Sequence, residues 1–70
     1  MFFMQYVHKL KEYREKHNFT QAYIADFLQI TQQQYSIYEK QTREMPISLY
    51  IKIANLYNVK IDDLITPKEE

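Results

Sequence analysis

Three consecutive glutamines at positions 32–34 carry side chains that are well suited to reading another molecule. A carboxamide holds a hydrogen-bond donor and an acceptor side by side, and this pair matches the edge that adenine presents in the major groove of DNA. The same run also fits a solvated helix face that contacts nothing. The flanking sequence has to decide between base contact and a plain surface.

Other chemistries find little support in the sequence. There is no cysteine, which excludes disulfides and thiolate metal sites. His8 and His17 are nine residues apart, on opposite sides of one predicted helix, so we expect no shared metal site. Glycine is absent, so a glycine-rich phosphate loop is excluded, and no Ser-His-acid spacing is present. We therefore expect no enzyme, no cofactor and no metal.

The composition indicates one small helical domain covering residues 1–70. A β-protein of 70 residues needs several tight turns that usually contain glycine, whereas helices joined by short polar loops do not. The apolar start, Met1–Met4, is far too short to span a bilayer, and we expect a cytoplasmic protein without a membrane segment. The net charge is zero, with a balance of +2 over residues 1–43 and −2 over residues 44–70.

Apolar residues recur at helical spacing in five segments, which predicts an all-α, five-helix fold with no strands. The predicted helices are Gln5–His17, Gln21 to about Leu28, Gln32 to about Lys40, about Pro46 to Asn58, and Asp62–Ile65. Residues 66–70 are expected to form a flexible tail.

Two threonines stand where helix caps should be. Thr20 precedes the second helix and Thr31 precedes the third, and a threonine hydroxyl can accept from a free amide of the first turn. Gln34 lies three residues after Thr31, as in a capping box. Two short helices joined by a short turn, the second opening with polar side chains, form the layout of a helix-turn-helix over about residues 21–40.

A helix-turn-helix also needs groups that clasp phosphates. Thr20, Gln21 and Thr31 lie near helix amino ends, where backbone amides favour an anion. Lys40 and Arg43 follow the third helix and can pair with the DNA backbone.

From Leu10 to Leu64 the sequence resembles the Cro and lambda-repressor family of helix-turn-helix domains. The residues that carry the resemblance are Leu10, Arg14, Thr20-Gln21, Ile24-Ala25, Leu28, Ile30, Thr31-Gln32-Gln33, Tyr35, Tyr38-Glu39, Pro46, Ile53-Ala54, Val59 and Leu64. Thr31-Gln32-Gln33 is especially similar to the start of the recognition helix in lambdoid phage repressors.

The resemblance implies a role for each matching position. Gln21 would contact phosphate and brace Gln32, and Gln32 and Gln33 would read bases. Arg14 and Glu39 match an ion pair that ties the first helix to the third. Further implied base contacts follow in the third helix, at Ser36 and Ile37.

Two kinds of departure from the family pattern stand out. Ile37 occupies a position that often carries a polar base-reading side chain. Either it touches a thymine methyl, or the helix reads fewer bases than its relatives do. Gln29 and Gln41 stand at or near positions where the family often has glycine, and a left-handed conformation there would cost roughly 1 kcal/mol.

The resemblance implies a sequence-specific transcriptional regulator, which we expect to act as a homodimeric repressor on a two-fold operator in double-stranded DNA. The alternative is an antitoxin or another protein-interaction module on the same scaffold, which the zero net charge favours. Two sets of apolar residues are open as the dimer contact. They are Phe2, Phe3 and Met4 at the start, which alternatively cap the core, and Leu49, Tyr50, Leu56, Tyr57 and Ile61 of the fourth and fifth helices.

Overall fold

Five helices follow one another along the chain, and two short strands pair the ends of its described part. The computed structural model describes residues 6–40 and 43–67. The elements are β1 (Tyr6–His8), α1 (Leu10–Lys16), α2 (Gln21–Leu28), α3 (Gln32–Glu39), α4 (Ile47–Tyr57), α5 (Ile61–Leu64) and β2 (Ile65–Pro67). The expected five-helix, mainly helical fold is confirmed.

Local side-chain chemistry sets the ends of α2 and α3. The hydroxyl of Thr20 accepts the Tyr23 N–H at 3.0 Å, and the hydroxyl of Thr31 accepts the Gln34 N–H at 3.0 Å. Both predicted caps are therefore present, and each satisfies an amide that its helix leaves without a partner. The helix α2 ends at Gln29, whose φ of 62° lies in the left-handed region.

All five helices contribute to one apolar core. Its buried members are Leu10, Ile24, Ala25, Leu28, Tyr35, Tyr38, Met45, Tyr50, Ile53, Ala54, Tyr57 and Leu64. Tyr35 and Tyr38 point inward from α3, as the helical spacing predicts. The core fixes the face that α3 turns outward, because a helix that buries one side must expose the other.

The apolar surface of α4 differs from our expectation. Tyr50 and Tyr57 are buried in the core, and Leu49, Leu56 and Ile61 are packed against it. The exposed apolar residues of α4 are instead Ile47, at 58% exposure, and Ile51, at 46%. The two lie one turn apart on the same face, so the exposed apolar surface of α4 is centred on them.

The strands correct two expectations, the absence of strands and a first helix that begins at Gln5. Tyr6–His8 form β1 and pair antiparallel with β2, His8 opposite Ile65 and Tyr6 opposite Pro67. The Lys9 N–H donates to the Leu64 carbonyl at 2.8 Å, and only then does α1 begin. Gln5 itself lies outside the described residues. Residues 6–8 form a strand because they pair with a distant segment of the chain. The helical periodicity of the local sequence carries no information about that pairing.

The end of the described chain is also more ordered than a tail. Thr66 and Pro67, which we placed in the flexible tail, belong to β2, and residues 68–70 lie outside the described residues. The helix α5 covers Ile61–Leu64, one residue earlier than predicted, because Ile65 already pairs with β1.

Candidate nucleic-acid interface

The helix α3 is held at both ends and along its buried side. Thr31 caps its amino end, and Tyr35 and Tyr38 anchor it in the core. It packs against α2 across the turn at Gln29, which allows the two helices to follow each other closely. An exposed face on a helix fixed in this way keeps one orientation, which base recognition in a groove requires.

The outward face of α3 presents amides and one apolar side chain. Gln32 and Gln33 are exposed in the first turn, and Ser36 is half-buried one turn later. Ile37 is 38% exposed and lies four residues after Gln33, hence on the same face. The predicted base-contacting residues therefore lie together along about two turns of one helix.

Gln34 plays a different part from the one we expected. Its backbone N–H reaches the Thr31 hydroxyl, but its side-chain Nε2 donates to the Tyr38 hydroxyl at 3.2 Å. Only the threonine half of the capping box therefore forms. The amide of Gln34 braces α3 internally, which leaves Gln32 and Gln33 as the outward-facing amides of the run.

The residues predicted to contact phosphate lie around the ends of α2 and α3. Thr20 and Thr31 are exposed at the two helix amino ends, and Lys40 is exposed where α3 ends. Arg43 is exposed three residues further along the chain, beyond residues 41–42, which lie outside the described part. Gln41, the other expected left-handed position, falls in that gap.

One carboxylate, that of Glu39, joins α1, α2 and α3. Arg14 donates to it twice, from Nε at 2.8 Å and from Nη2 at 3.1 Å. Gln21 Nε2 donates to the same carboxylate at 2.9 Å, so this amide is held by Glu39 and not directed at Gln32, which we had expected it to brace. The third guanidinium nitrogen, Nη1 of Arg14, donates to the Phe19 carbonyl at 3.0 Å.

The electrostatics of this cluster keep Glu39 ionised. The side chains of Arg14 and Glu39 are only 12% and 4% exposed. Burial raises the pKa of the Glu39 carboxyl, but the hydrogen bonds from Arg14, Gln21 and Tyr35 outweigh it, so the pKa lies below its ordinary value. An ionised Glu39 accepts several bonds at once and fixes the angles among the three helices.

His8 is a residue whose position the sequence did not reveal. We considered it only as a metal ligand on a helix, yet it lies in β1, and its Nε2 is 2.9 Å from the carbonyl oxygen of Tyr38 in α3. The position of His8 could have been predicted only if β1 had been recognised as a strand, and β1 is a strand because it pairs with the distant β2. Among residues 6–40 and 43–67, no group of three or more His, Asp or Glu side chains is arranged to hold a metal ion.

A family model described as "Helix-turn-helix" matches residues 10–64, which contain every helix of the fold. The chain belongs to the helix-turn-helix family. This membership agrees with the resemblance that the threonine caps, the glutamines and the Arg14–Glu39 pair suggested. None of the helices within the described ranges is long and apolar enough to cross a membrane.

Curated relatives support the same family. An HTH-type transcriptional regulator of Bacillus subtilis, ImmR, is 38% identical over 61 residues, which are 87% of this chain and 48% of that protein. An uncharacterized HTH-type transcriptional regulator of Methanocaldococcus jannaschii is 36% identical over 62 residues, 89% of this chain and 94% of that protein. The chain thus spans about half the length of the first relative and nearly all of the second.

The fold has a close counterpart among solved structures. A transcriptional regulator from Listeria innocua superposes with a TM-score of 0.83, covering 96% of this chain and 64% of that one. The sequence identity is 20%, so this likeness concerns the fold.

Proposed function

We propose that this protein is a sequence-specific DNA-binding transcriptional regulator that acts in the cytoplasm as a homodimeric repressor on a two-fold operator. The observation that carries the proposal is the outward face of α3. Gln32 and Gln33 stand exposed at the head of a helix that a threonine cap, two buried tyrosines and the Glu39 cluster hold in place. A rigid helix with amides in its first turn is what reading base edges in the major groove requires.

The surrounding groups fit the task of positioning the helix. The phosphates would be contacted by Thr20, Thr31, Lys40 and Arg43. Gln21 would also contact a phosphate, through the N–H groups that its bond to Glu39 does not use. Such contacts fix the register on the duplex without carrying sequence information. In this proposal Gln32, Gln33, Ser36 and Ile37 supply the sequence-dependent part of the binding energy.

The dimensions of the molecule favour a dimer. The longest extent of the chain is 32 Å, whereas successive major-groove half-sites on one face of DNA are about 34 Å apart. One copy therefore covers one half-site, and two copies are needed for the affinity that regulation demands. The exposed pair Ile47 and Ile51 on α4 is one candidate contact; Phe2 and Phe3, the other, lie outside the described residues.

A protein-interaction module, such as an antitoxin, is the second candidate function. The zero net charge and the exposed isoleucines Ile47 and Ile51 favour it, because a neutral surface attracts DNA weakly and apolar side chains attract protein. The two functions differ in what the glutamine face does. A pure interaction module would bind no duplex in a sequence-dependent way.

The test is selection of bound duplexes from a random pool, followed by fluorescence anisotropy on the selected site and on random DNA. Gln33→Ala should cost about 1–3 kcal/mol on the selected site and little on random DNA. Asn55→Ala removes an exposed amide from α4 and serves as the matched control, with unchanged affinity expected. Failure of any duplex to bind at low salt, or equal losses on both DNAs, would contradict base reading.

Two further measurements test the finer parts of the proposal. Sedimentation of the complex with the selected duplex should give two copies per site, and the selected sequence should contain two related half-sites. A reporter gene carrying that site between its promoter and its start should fall in expression when the protein is present. A rise in expression would contradict the repressor assignment, and one copy per site would contradict the dimer.

A further inference from the structure

The imidazole of His8 connects the terminal sheet to the carboxyl end of α3. Its Nε2 is 2.9 Å from the carbonyl oxygen of Tyr38, and its Nδ1 receives the backbone N–H of Leu10 at 3.4 Å. The backbone of His8 is fixed by pairing with Ile65 of β2. The ring also lies beside that of Tyr50, with the ring centroids 6.4 Å apart. The helices α1, α3 and α4 therefore meet at this one side chain, which extends from a strand paired with β2.

These partners define which nitrogen carries the proton. A carbonyl oxygen can only accept, so Nε2 must hold the hydrogen and donate it to Tyr38. An amide N–H can only donate, so Nδ1 must be bare to accept from Leu10. The structure is thus complementary to one neutral tautomer. The Tyr38 carbonyl belongs to the last turn of α3, and it receives the backbone N–H of the cap residue Lys40 as well as Nε2 of His8.

We propose that His8 is a positioning residue for DNA recognition, which orients α3 by capping its carboxyl end from the terminal β-sheet. This inference rests on the proposed function of α3 as the recognition helix. Thr31 fixes the amino end of α3 and His8 fixes the other, so the two contacts together set the direction of an eight-residue helix. Loss of the His8 contact removes one of the bonds that hold the end that carries Lys40, where Glu39 stays bonded to Arg14 and Gln21, and leaves the glutamine end capped.

Charged and aromatic residues from several elements surround the His8 ring. Glu39 of α3 faces the ring, and together with His8 it lines a polar cavity of about 390 Å³. The other residues lining the cavity are Lys9, Lys11, Glu12 and Glu15. Tyr50 faces the ring from α4, and Ile65 lies opposite in β2. The charge of Glu39 favours an imidazolium, while burial of the ring opposes it.

Burial prevails in this balance. It lowers the pKa of His8 below the ordinary 6.5, although the hydrogen bond to the Tyr38 carbonyl and the charge of Glu39 raise it. Folding therefore favours the neutral ring, and the stability that comes from keeping the buried ring neutral is fully present above pH 6.5. This stabilisation is lost as the pH falls through the folded-state pKa, because the imidazolium is buried and its Nδ1 can no longer accept the N–H of Leu10, although its Nε2 still donates to Tyr38.

The experiment uses two substitutions of His8 on the selected duplex. His8→Gln keeps an N–H donor near the position of Nε2 but does not titrate, and His8→Leu removes the donor. At about pH 8 the glutamine variant should bind as the wild type does, whereas the leucine variant should bind about three- to tenfold more weakly, the range expected for one hydrogen bond. Acidification through the His8 transition, whose midpoint lies below 6.5, should weaken the wild type relative to His8→Gln.

His17 provides the matched control for the pH response. It is exposed at the end of α1, and its Nδ1 donates to the Tyr13 carbonyl of the same helix at 2.8 Å. His17→Gln should therefore keep the acid response of the wild type. Equal affinity of His8→Leu and wild type at about pH 8, or an acid response that survives in His8→Gln, would overturn the inference.

A measurement without DNA separates this inference from the proposed function. In NMR spectra of the free protein, the amide resonances of Glu39 and Lys40 should follow the titration of His8, with a midpoint below 6.5. The same resonances should lose that transition in His8→Gln. If they move with His8 but no duplex is bound, the capping contact stands and the DNA-binding proposal fails. If they do not move with His8, the positioning role fails whether or not DNA is bound.

Discussion

Ile37 places a branched apolar side chain on a face otherwise made of amides and a hydroxyl. It is 38% exposed and one turn beyond Gln33, so a base read by Gln33 and the next base pairs would lie within its reach. Glutamine matches adenine, and an apolar side chain matches the methyl group that only thymine presents in the major groove. Between Gln32 and Ile37 there is no arginine or lysine, the residues that most often read guanine.

The residue-level prediction is that Ile37 reads thymine methyl groups. Replacing thymine by uracil in the selected site should weaken wild-type binding about fourfold per contacted methyl, since one buried methyl group contributes about 0.8 kcal/mol. Ile37→Ala should bind the thymine and uracil duplexes equally, as anisotropy titrations would show. Val7→Ala removes an equally exposed branched side chain from β1 and should keep the full uracil penalty. A penalty that persists in Ile37→Ala would place the methyl contact elsewhere.

The roles of residues that cap their own helix could be predicted from the sequence more readily than the partners of side-chain amides. The threonine caps follow from local chemistry, since a hydroxyl just before a helix finds a free amide within three residues. The partner of Gln21 does not follow from local chemistry, because only the tertiary fold brings possible acceptors near its amide. The amide donates to Glu39, whose full negative charge makes it the strongest acceptor there. The same holds for Gln34 and the Tyr38 hydroxyl.

At the level of elements, a chain without glycine has to end its helices on other residues. Gln29 after α2 and Asn58 after α4 both adopt left-handed conformations, with φ of 62° and 57°. Asparagine tolerates this region, but glutamine has no local hydrogen bond that compensates for the crowding at its Cβ. The turn between the two helices of the helix-turn-helix therefore stores a small strain.

Gln29→Gly should relieve that strain and raise the free energy of unfolding by about 0.5–1 kcal/mol, net of the greater freedom of glycine in the unfolded chain. Lys40→Gly is the matched control, because Lys40 ends α3 with a right-handed φ of −78° and should lose about as much. Urea denaturation followed by circular dichroism measures both. A destabilised Gln29→Gly would mean that the left-handed turn costs the protein nothing.

The strands show why some elements could not be predicted. Tyr6, Leu10 and Tyr13 recur at helical spacing, so the local pattern favours a helix that includes residues 6–8. In the fold, β1 instead pairs with β2, and Tyr6 packs edge-on against Tyr50 with centroids 6.1 Å apart. A three-residue strand is too short to show the alternating pattern of a strand in its sequence, and its partner lies at the far end of the chain.

At the scale of the whole molecule, the charge is balanced, with nine basic and nine acidic residues. Attraction to DNA at a distance is therefore weak, and binding must depend on a few placed contacts. Lys40 and Arg43, exposed at and beyond the carboxyl end of α3, are the cations that the proposed interface assigns to phosphates. Such a protein should depend on salt less steeply than a strongly basic regulator does.

Counterion release makes this expectation quantitative. With two phosphate-pairing cations per domain, the slope of log affinity against log salt concentration should be about −2 per domain and about −4 for a dimer. Lys40→Gln should make the dimer slope shallower by about 2, because each domain releases one counterion fewer. Lys52→Gln removes the same charge from an exposed position on α4 and should leave the slope unchanged, as should Gln33→Ala. Anisotropy titrations over a series of salt concentrations measure all three. If Lys52→Gln flattened the slope as much as Lys40→Gln, the protein would be responding to its net charge, and the placement of Lys40 against a phosphate would be wrong.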